Sequence, residues 1–187
     1  MKKLFIILGI IAALLMLWLG SQGVFRNVEI EEGYKGPFTL VYEVHIGDYK
    51  EVGNIQNRLY KSLMEDNIDC TQGFGIYYDN PAKVKPEELR AITGCIVPAI
   101  FKVRLEKLGN VYKVKNIPQT KCVGSTFPFK NMASIIIGIM KVYPKLQIYI
   151  ERNNLQTGPA MEIYDVPNKK IEYLFPIENL DSFAENF

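Results

Sequence analysis

The sequence predicts an α+β fold: a tandem β-α-β-β repeat forming an antiparallel sheet with two backing helices, preceded by an N-terminal transmembrane helix. Three observations carry the prediction. An unbroken apolar run of 17 residues, Leu4 to Gly20, stands near the start of the 187-residue chain. Behind it, a strand–helix–strand–strand order of hydropathy patterns occurs twice. The two occurrences also echo each other, because Thr71, Tyr78, Asp79 and Pro81 match Thr157, Tyr164, Asp165 and Pro167, each pair 86 residues apart.

The apolar run covers about 25 Å as a helix, close to the thickness of a bilayer's hydrocarbon core. Two readings stay open for residues 1–23. In one they are a cleaved signal peptide, with Lys2-Lys3 as its basic start and Ser21-Gln22-Gly23 as a small-x-small site. In the other they are a single-pass anchor. The run exceeds the usual signal core of about 7–15 residues and no Ala-x-Ala follows it, so the anchor is the reading adopted. Lys2 and Lys3 precede the run while Arg26 and Lys35 follow it. The Lys pair lies closer to the membrane and favours the domain on the extracytoplasmic side, with the cytosolic side still open. Residues 24–36, polar with Gly33 and Gly36, read as a juxtamembrane linker. Residues 37–187 read as one domain, its halves at about 37–97 and 120–178.

Phe38, Leu40, Tyr42, Val44 and Ile46 alternate with Thr39, Val41, Glu43 and His45, the period of a half-buried strand. Val52, Ile55, Leu59 and Leu63 then form one apolar stripe of an amphipathic helix. Asp48 is its expected cap, with Glu51 placed for a capping box. Strands follow at Phe74 to Tyr78 and at about Leu89 to Val97. The connection over residues 98–119 holds an apolar-basic stretch, Phe101 to Leu108, and a strand at Val111 to Ile117. The second half begins with a strand at Lys121 to Phe129. Asn131 caps a helix carrying Met132, Ile135, Ile136, Ile139 and Met140, and Pro144 breaks it or starts a second one. Strands at Ala160 to Tyr164 and Lys170 to Phe175 complete the repeat, and the groove between halves is the expected concave site.

Composition removes several functions. The 22 Lys and Arg face 20 Asp and Glu, and Lys2 and Lys3 are the only charges in residues 1–23, so the remainder is formally neutral. A neutral domain lacks the basic surface that nucleic-acid binding needs. Cys70, Cys95 and Cys122 are widely spaced and His45 is the only histidine, so no zinc site, and no other metal or cofactor, is expected. The cysteines read as small buried hydrophobes, with one disulfide open to them on an oxidising side. No nucleophile elbow, phosphate loop, dinucleotide fingerprint or zincin motif occurs. His45 reads as a hydrogen-bonded strand residue rather than a catalytic base.

What remains is a carboxylate beside aromatic rings. Alternation puts Glu162 and Tyr164 on one face of their strand, and the 86-residue echo relates Tyr164 to Tyr78. Phe127 and Phe129 are further aromatic candidates. A glutamate among aromatic faces suits an amphipathic organic cation, with cation–π attraction added to charge. Two alternatives stay open: Glu162 pairing across strands with Lys169 or Lys170, and tyrosines that simply pack well in sheets.

Several runs carry a resemblance: Gly47-Asp48-Tyr49, Gly75-Ile76-Tyr77-Tyr78-Asp79-Asn80-Pro81, Gly124 to Phe129, Pro159 to Tyr164 and Phe175-Pro176-Ile177. In this order, over about residues 37–178, the chain resembles the GyrI-like small-molecule-binding domain, which is also the effector-binding part of some bacterial transcription regulators. The resemblance implies the SHS2-type duplication and a ligand cleft between its halves. It also implies that Glu162, in Glu162-Ile163-Tyr164, matches the glutamate that contacts cationic ligands in drug-binding members. His45 and Tyr49, around the first motif, join the candidate ligand-binding residues. The implied function is a membrane-tethered, non-catalytic binder of apolar or cationic small molecules. A membrane-surface scaffold acting through a protein partner stays open. So does a hydrolase of electrophiles, although the only tryptophan, Trp18, lies in the membrane segment.

Overall fold

The computed structural model describes residues 2–70, 72–108 and 111–187. Thr71, the first member of the sequence echo, lies outside the described residues. The apolar run forms α1 (Lys2–Ser21), none of whose residues is buried. After it come β1 (Glu31–Lys35), β2 (Phe38–Ile46), α2 (Val52–Glu65), β3 (Gln72–Tyr77), β4 (Arg90–Ile96), α3 (Lys102–Leu108) and β5 (Lys113–Ile117). The second half supplies β6 (Thr120–Pro128), α4 (Met132–Arg152), β7 (Ala160–Asp165) and β8 (Lys170–Pro176). The strands make one eight-stranded sheet, ordered β1-β6-β8-β7-β3-β4-β2-β5. Every pairing in it is antiparallel. The predicted β-α-β-β unit is therefore present twice, and the halves meet where β3 pairs with β7.

Alternation sorts the side chains onto two faces. Leu40, Phe74, Ile76, Ile92, Met161, Ile163 and Leu174 share the face away from the helices, which Phe183 covers. On the other face, α2 buries Val52, Ile55, Leu59 and Leu63, and its end packs with Val41 and Cys95. Beside it α4 buries Ser134, Gly138, Val142, Leu146 and Ile150 against Val123, Phe127, Ile171 and Tyr173.

Several local expectations change. Pro144 lies inside one continuous α4 and does not end it. The four-residue spacing of buried positions runs through it. The roughly 3 kcal/mol cost of an interior proline is offset by burying Leu146 and Ile150, each worth about 1.5–3 kcal/mol. The cap at Asn131 is as expected and forms a capping box with Ser134. The one at Asp48 is different: its carboxylate accepts from Lys50 N at the head of a 3-10 turn, while Glu51 turns to Asn54 at 2.8 Å. The apolar-basic stretch becomes the short helix α3 with a 3-10 turn before it, burying Leu105. Residues 24–36 are not a free linker, because β1 pairs with β6 and Val28 is buried with the α4 core. All three cysteines are buried as expected, but the alternative left open is the one formed: Cys70 and Cys95 are joined in a disulfide and Cys122 is a free thiol.

Candidate functional site

The site forms where the halves meet, on the helix-bearing face between α2 and α4. In the β3–β7 pairing Gly75 stands opposite Glu162. Tyr77 lies two residues beyond the first and Tyr164 two beyond the second, so these tyrosines are counterparts at a separation of 87. The sequence echo, at 86, is one residue out of step with the faces. A one-residue slip moves a strand's side chain to the opposite face. Tyr78 accordingly leaves the candidate site, donating to Phe183 O at 2.6 Å and packing on Phe187. Tyr77 takes its place, with its hydroxyl 3.1 Å from that of Tyr164.

Glu162 is 3% exposed. Its Oε1 accepts from the Tyr143 hydroxyl at 2.7 Å and its Oε2 from Tyr164. With the Tyr164 proton engaged there, Tyr77 donates to Tyr164 and a phenol chain runs outward from the carboxylate. Burial raises the Glu162 carboxyl above its usual range, and the two phenol hydrogen bonds oppose that rise. Burial also pushes Tyr77, Tyr143 and Tyr164 well up, which keeps them neutral donors. The expected cross-strand alternative is not formed: Glu162 faces Tyr173, while Lys170 pairs with Glu172 at 2.7 Å and with Asp165 at 3.8 Å. Among the described residues no ion pair includes Glu162.

The floor is nearly free of side chains beside Glu162. Gly73 and Gly75 occupy it, and a Cβ on Gly75 would fall 2.6 Å from the Tyr77 hydroxyl, which is folded back above it. From α2, Gln56 Nε2 reaches Phe74 O at 2.8 Å and Thr93 Oγ1 at 2.9 Å. From α4, Tyr143 reaches the carboxylate, and Ile139 and Ile135 stand one and two turns before it on the same flank. Tyr49 packs edge-on to Tyr77 with ring centroids 4.8 Å apart, and its hydroxyl is held by Arg90 O at 2.9 Å. Phe129 approaches Tyr164 at 6.5 Å.

Of the predicted residues, the structure brings together Glu162, Tyr164, Tyr49 and Phe129. Phe127 is fully buried under α4, against Gly23. His45 lies near the end of β2, its Nε2 3.0 Å from Asp48 O. Sequence reasoning missed Tyr77, Tyr143, Gln56 and Tyr173. A signal existed for the first, since Gly73 and Gly75 alternate with Phe74 and Ile76 and mark the bare face on which Tyr77 lies. Tyr143 and Gln56 carried none, because each sits at the margin of its helix's apolar stripe. The arrangement holds a buried carboxylate, without a cationic partner among the described residues, under aromatic rings, chemistry matched to an organic cation.

A family profile described as the GyrI-like small molecule binding domain matches residues 28–178. Human testis-expressed protein 264 is 28% identical over 194 residues, covering 95% of this chain and 59% of its own length. The mouse homolog is also 28% identical, covering 95% of this chain and 60% of its own. The chain thus spans about three-fifths of these relatives. Among solved structures, the EcmrR C-terminal domain superposes with a TM-score of 0.58 at 14% identity, covering 81% of this chain and 98% of that one. SAV2435, solved bound to tetraphenylphosphonium, gives 0.51 at 12% identity, covering 82% and 96%. At such identities the likeness is one of fold.

Proposed function

Because the chain belongs to the GyrI-like small-molecule-binding domain family, we propose that it is a membrane-anchored, non-catalytic receptor for lipophilic organic cations, bound between α2 and α4. One observation carries this reading: Glu162 is buried and held by tyrosine hydroxyls, and among the described residues no basic side chain pairs with it. A delocalised cation supplies that charge at low desolvation cost, and the rings of Tyr77, Tyr164, Tyr49 and Phe129 supply its cover. SAV2435, which shares the fold, was solved with a ligand of this class, which supports the reading. The glycine floor supports it too, leaving room over β3 once Tyr77 swings from Gly75.

The anchor in this proposal is α1, long and apolar enough to span a bilayer and buried nowhere against the domain. A signal sequence passes the same test of length and composition. The proposed anchor is residues 1–23, and the binding unit, expected over 37–187, takes in Val28 and β1 as well. The Cys70–Cys95 disulfide supports an oxidising, extracytoplasmic side.

Titration of the full chain in detergent with a lipophilic cationic dye and its neutral isostere tests the binding. Glu162→Gln is expected to weaken the cation about tenfold, roughly 1.4 kcal/mol, and leave the neutral dye within about twofold. Equal affinity of parent and variant for the cation would overturn the proposal.

A further inference from the structure

The sheet register defines one end of the domain. Ile96, Gln72, Asp165, Lys170 and Pro128 are successive partners in a row across β4, β3, β7, β8 and β6. Beyond Pro128 comes Lys130, whose Nζ binds Ser21 O at 2.6 Å, the last residue of α1. The row therefore marks the end from which α1 leaves. Exposed apolar side chains gather beyond the same row. Past β4, the turn before α3 and α3 itself present Ile100, 83% exposed, and Val103, 62% exposed. Past β6, Met132 is 70% exposed, and Phe25, just after α1, is 68% exposed. Lys102, Arg104 and Lys107 lie beside Ile100 and Val103, are solvent-exposed, and enter no ion pair among the described residues.

We propose that this end of the domain rests on the bilayer crossed by α1, with Ile100 and Val103 dipping into the interfacial layer and the α3 cations meeting anionic headgroups. The inference rests on the anchor reading above and adds a fixed attitude of the domain to it. Three features choose a bilayer as the occupant. The patch continues from the exit of α1, which Lys130 fixes. Its apolar groups are single and set beside long basic side chains that reach upward from an apolar layer, the pattern of interfacial segments. The net charge of α3 is positive, Lys102, Arg104 and Lys107 against the equally exposed Glu106, and is complementary to anionic lipid. The candidate site between α2 and α4 then lies on a flank of the sheet, beside the membrane and not against it.

Trp18 is the only tryptophan, so tryptophan quenching tests this on the full chain. The chain is reconstituted in phosphatidylcholine–phosphatidylserine vesicles whose acyl chains are brominated near the headgroup. The parent reports Trp18; Trp18→Phe with Ile100→Trp reports the patch. Trp18→Phe with Ile46→Trp reports the opposite end, where Ile46 pairs with Arg90. The expected result is quenching and a blue shift at position 100 comparable with Trp18, and neither at position 46. Adding Lys102→Glu, Arg104→Glu and Lys107→Glu should abolish the effect at 100. A quenched Trp18 with an unquenched position 100, or equal quenching at 100 and 46, overturns this inference and leaves the anchor. An unquenched Trp18 overturns the anchor reading, and this inference with it.

Discussion

Burial raises the Glu162 carboxyl above the ordinary glutamate value of 4.5. Between that value and the folded one, the folded chain holds a proton that the unfolded chain has released. Stability from this group is therefore full below about 4.5 and falls as pH rises through the folded value. Urea midpoints measured from about pH 4 to about pH 8 should show Glu162→Gln gaining on the parent across that window. A constant difference at every pH would refute the buried-charge account. A neighbouring residue makes a second test. Tyr173 is fully buried and its hydroxyl has no hydrogen-bond partner among the described residues, while a Cβ on Gly138 would lie 2.4 Å from that oxygen. Gly138→Ala is expected to cost about 1–3 kcal/mol, because steric overlap in a packed core exceeds the gain in helix propensity. Tyr173→Phe is expected to be neutral or to stabilise by about 1 kcal/mol, and to relieve Gly138→Ala in the double variant. Chemical denaturation of the four chains checks both, and additive effects would sink the contact. At this scale the sequence reached Glu162 and Tyr164 but chose Tyr78 over Tyr77. Adjacent tyrosines are equivalent until strand register assigns faces, and register is a tertiary quantity.

Among the elements, those with a single dominant period were legible: β2 spans the nine residues whose alternation predicts it, although Val41 on its other face is buried as well, and the stripe of α2 lies where periodicity places it. Elements whose identity depends on neighbours were not. β1 is an edge strand of polar residues, Glu-Glu-Gly-Tyr-Lys, with no buried face to create alternation. The unbroken α4 reflects packing on both sides of Pro144, which local proline rules do not see. The pairing of cysteines likewise depends on Cys95 lying in β4 opposite Gly73, near the start of β3. The Cys70–Cys95 link closes a loop of 25 residues in sequence separation. Cys70→Ser with Cys95→Ser should lose about 3.5 kcal/mol by the loop-entropy relation. Reductant should lower the parent's unfolding midpoint to that of the double variant. In chain taken from its own cells, alkylation of Cys70 and Cys95 only after reduction is the expected outcome; alkylation without reductant would place the domain on a reducing side.

The whole molecule joins an apolar helix to a ligand-binding fold, and the joint is built rather than loose. Lys141, on the α4 flank away from the cleft, donates to the carbonyls of Gly23, Val24 and Arg26, the last at 2.7 Å. Lys145 adds Val28 O at 3.3 Å, and the Tyr149 hydroxyl reaches Glu32 at 3.1 Å. Successive turns of one helix thus hold the chain from the end of α1 up to β1. The same helix carries Tyr143 to Glu162, so one rigid element spans the junction with α1 and the candidate site. Charge-assisted hydrogen bonds of this kind are worth about 1.5–3 kcal/mol when the donor is removed. Lys141→Met keeps most of the apolar stem and removes the donor. In the full chain in vesicles, hydrogen exchange over residues 22–28 should then quicken by about tenfold or more, while exchange in β3 and β7 stays near the parent's. Unchanged exchange over 22–28 would mean that the backbone there is held by Val28 burial and the Gly23–Phe127 contact alone, and the lysine clamp would be discarded. Uniformly faster exchange in sheet and junction would instead show that Lys141 supports the fold as a whole, and would equally remove its role as a local coupling between α1 and the domain.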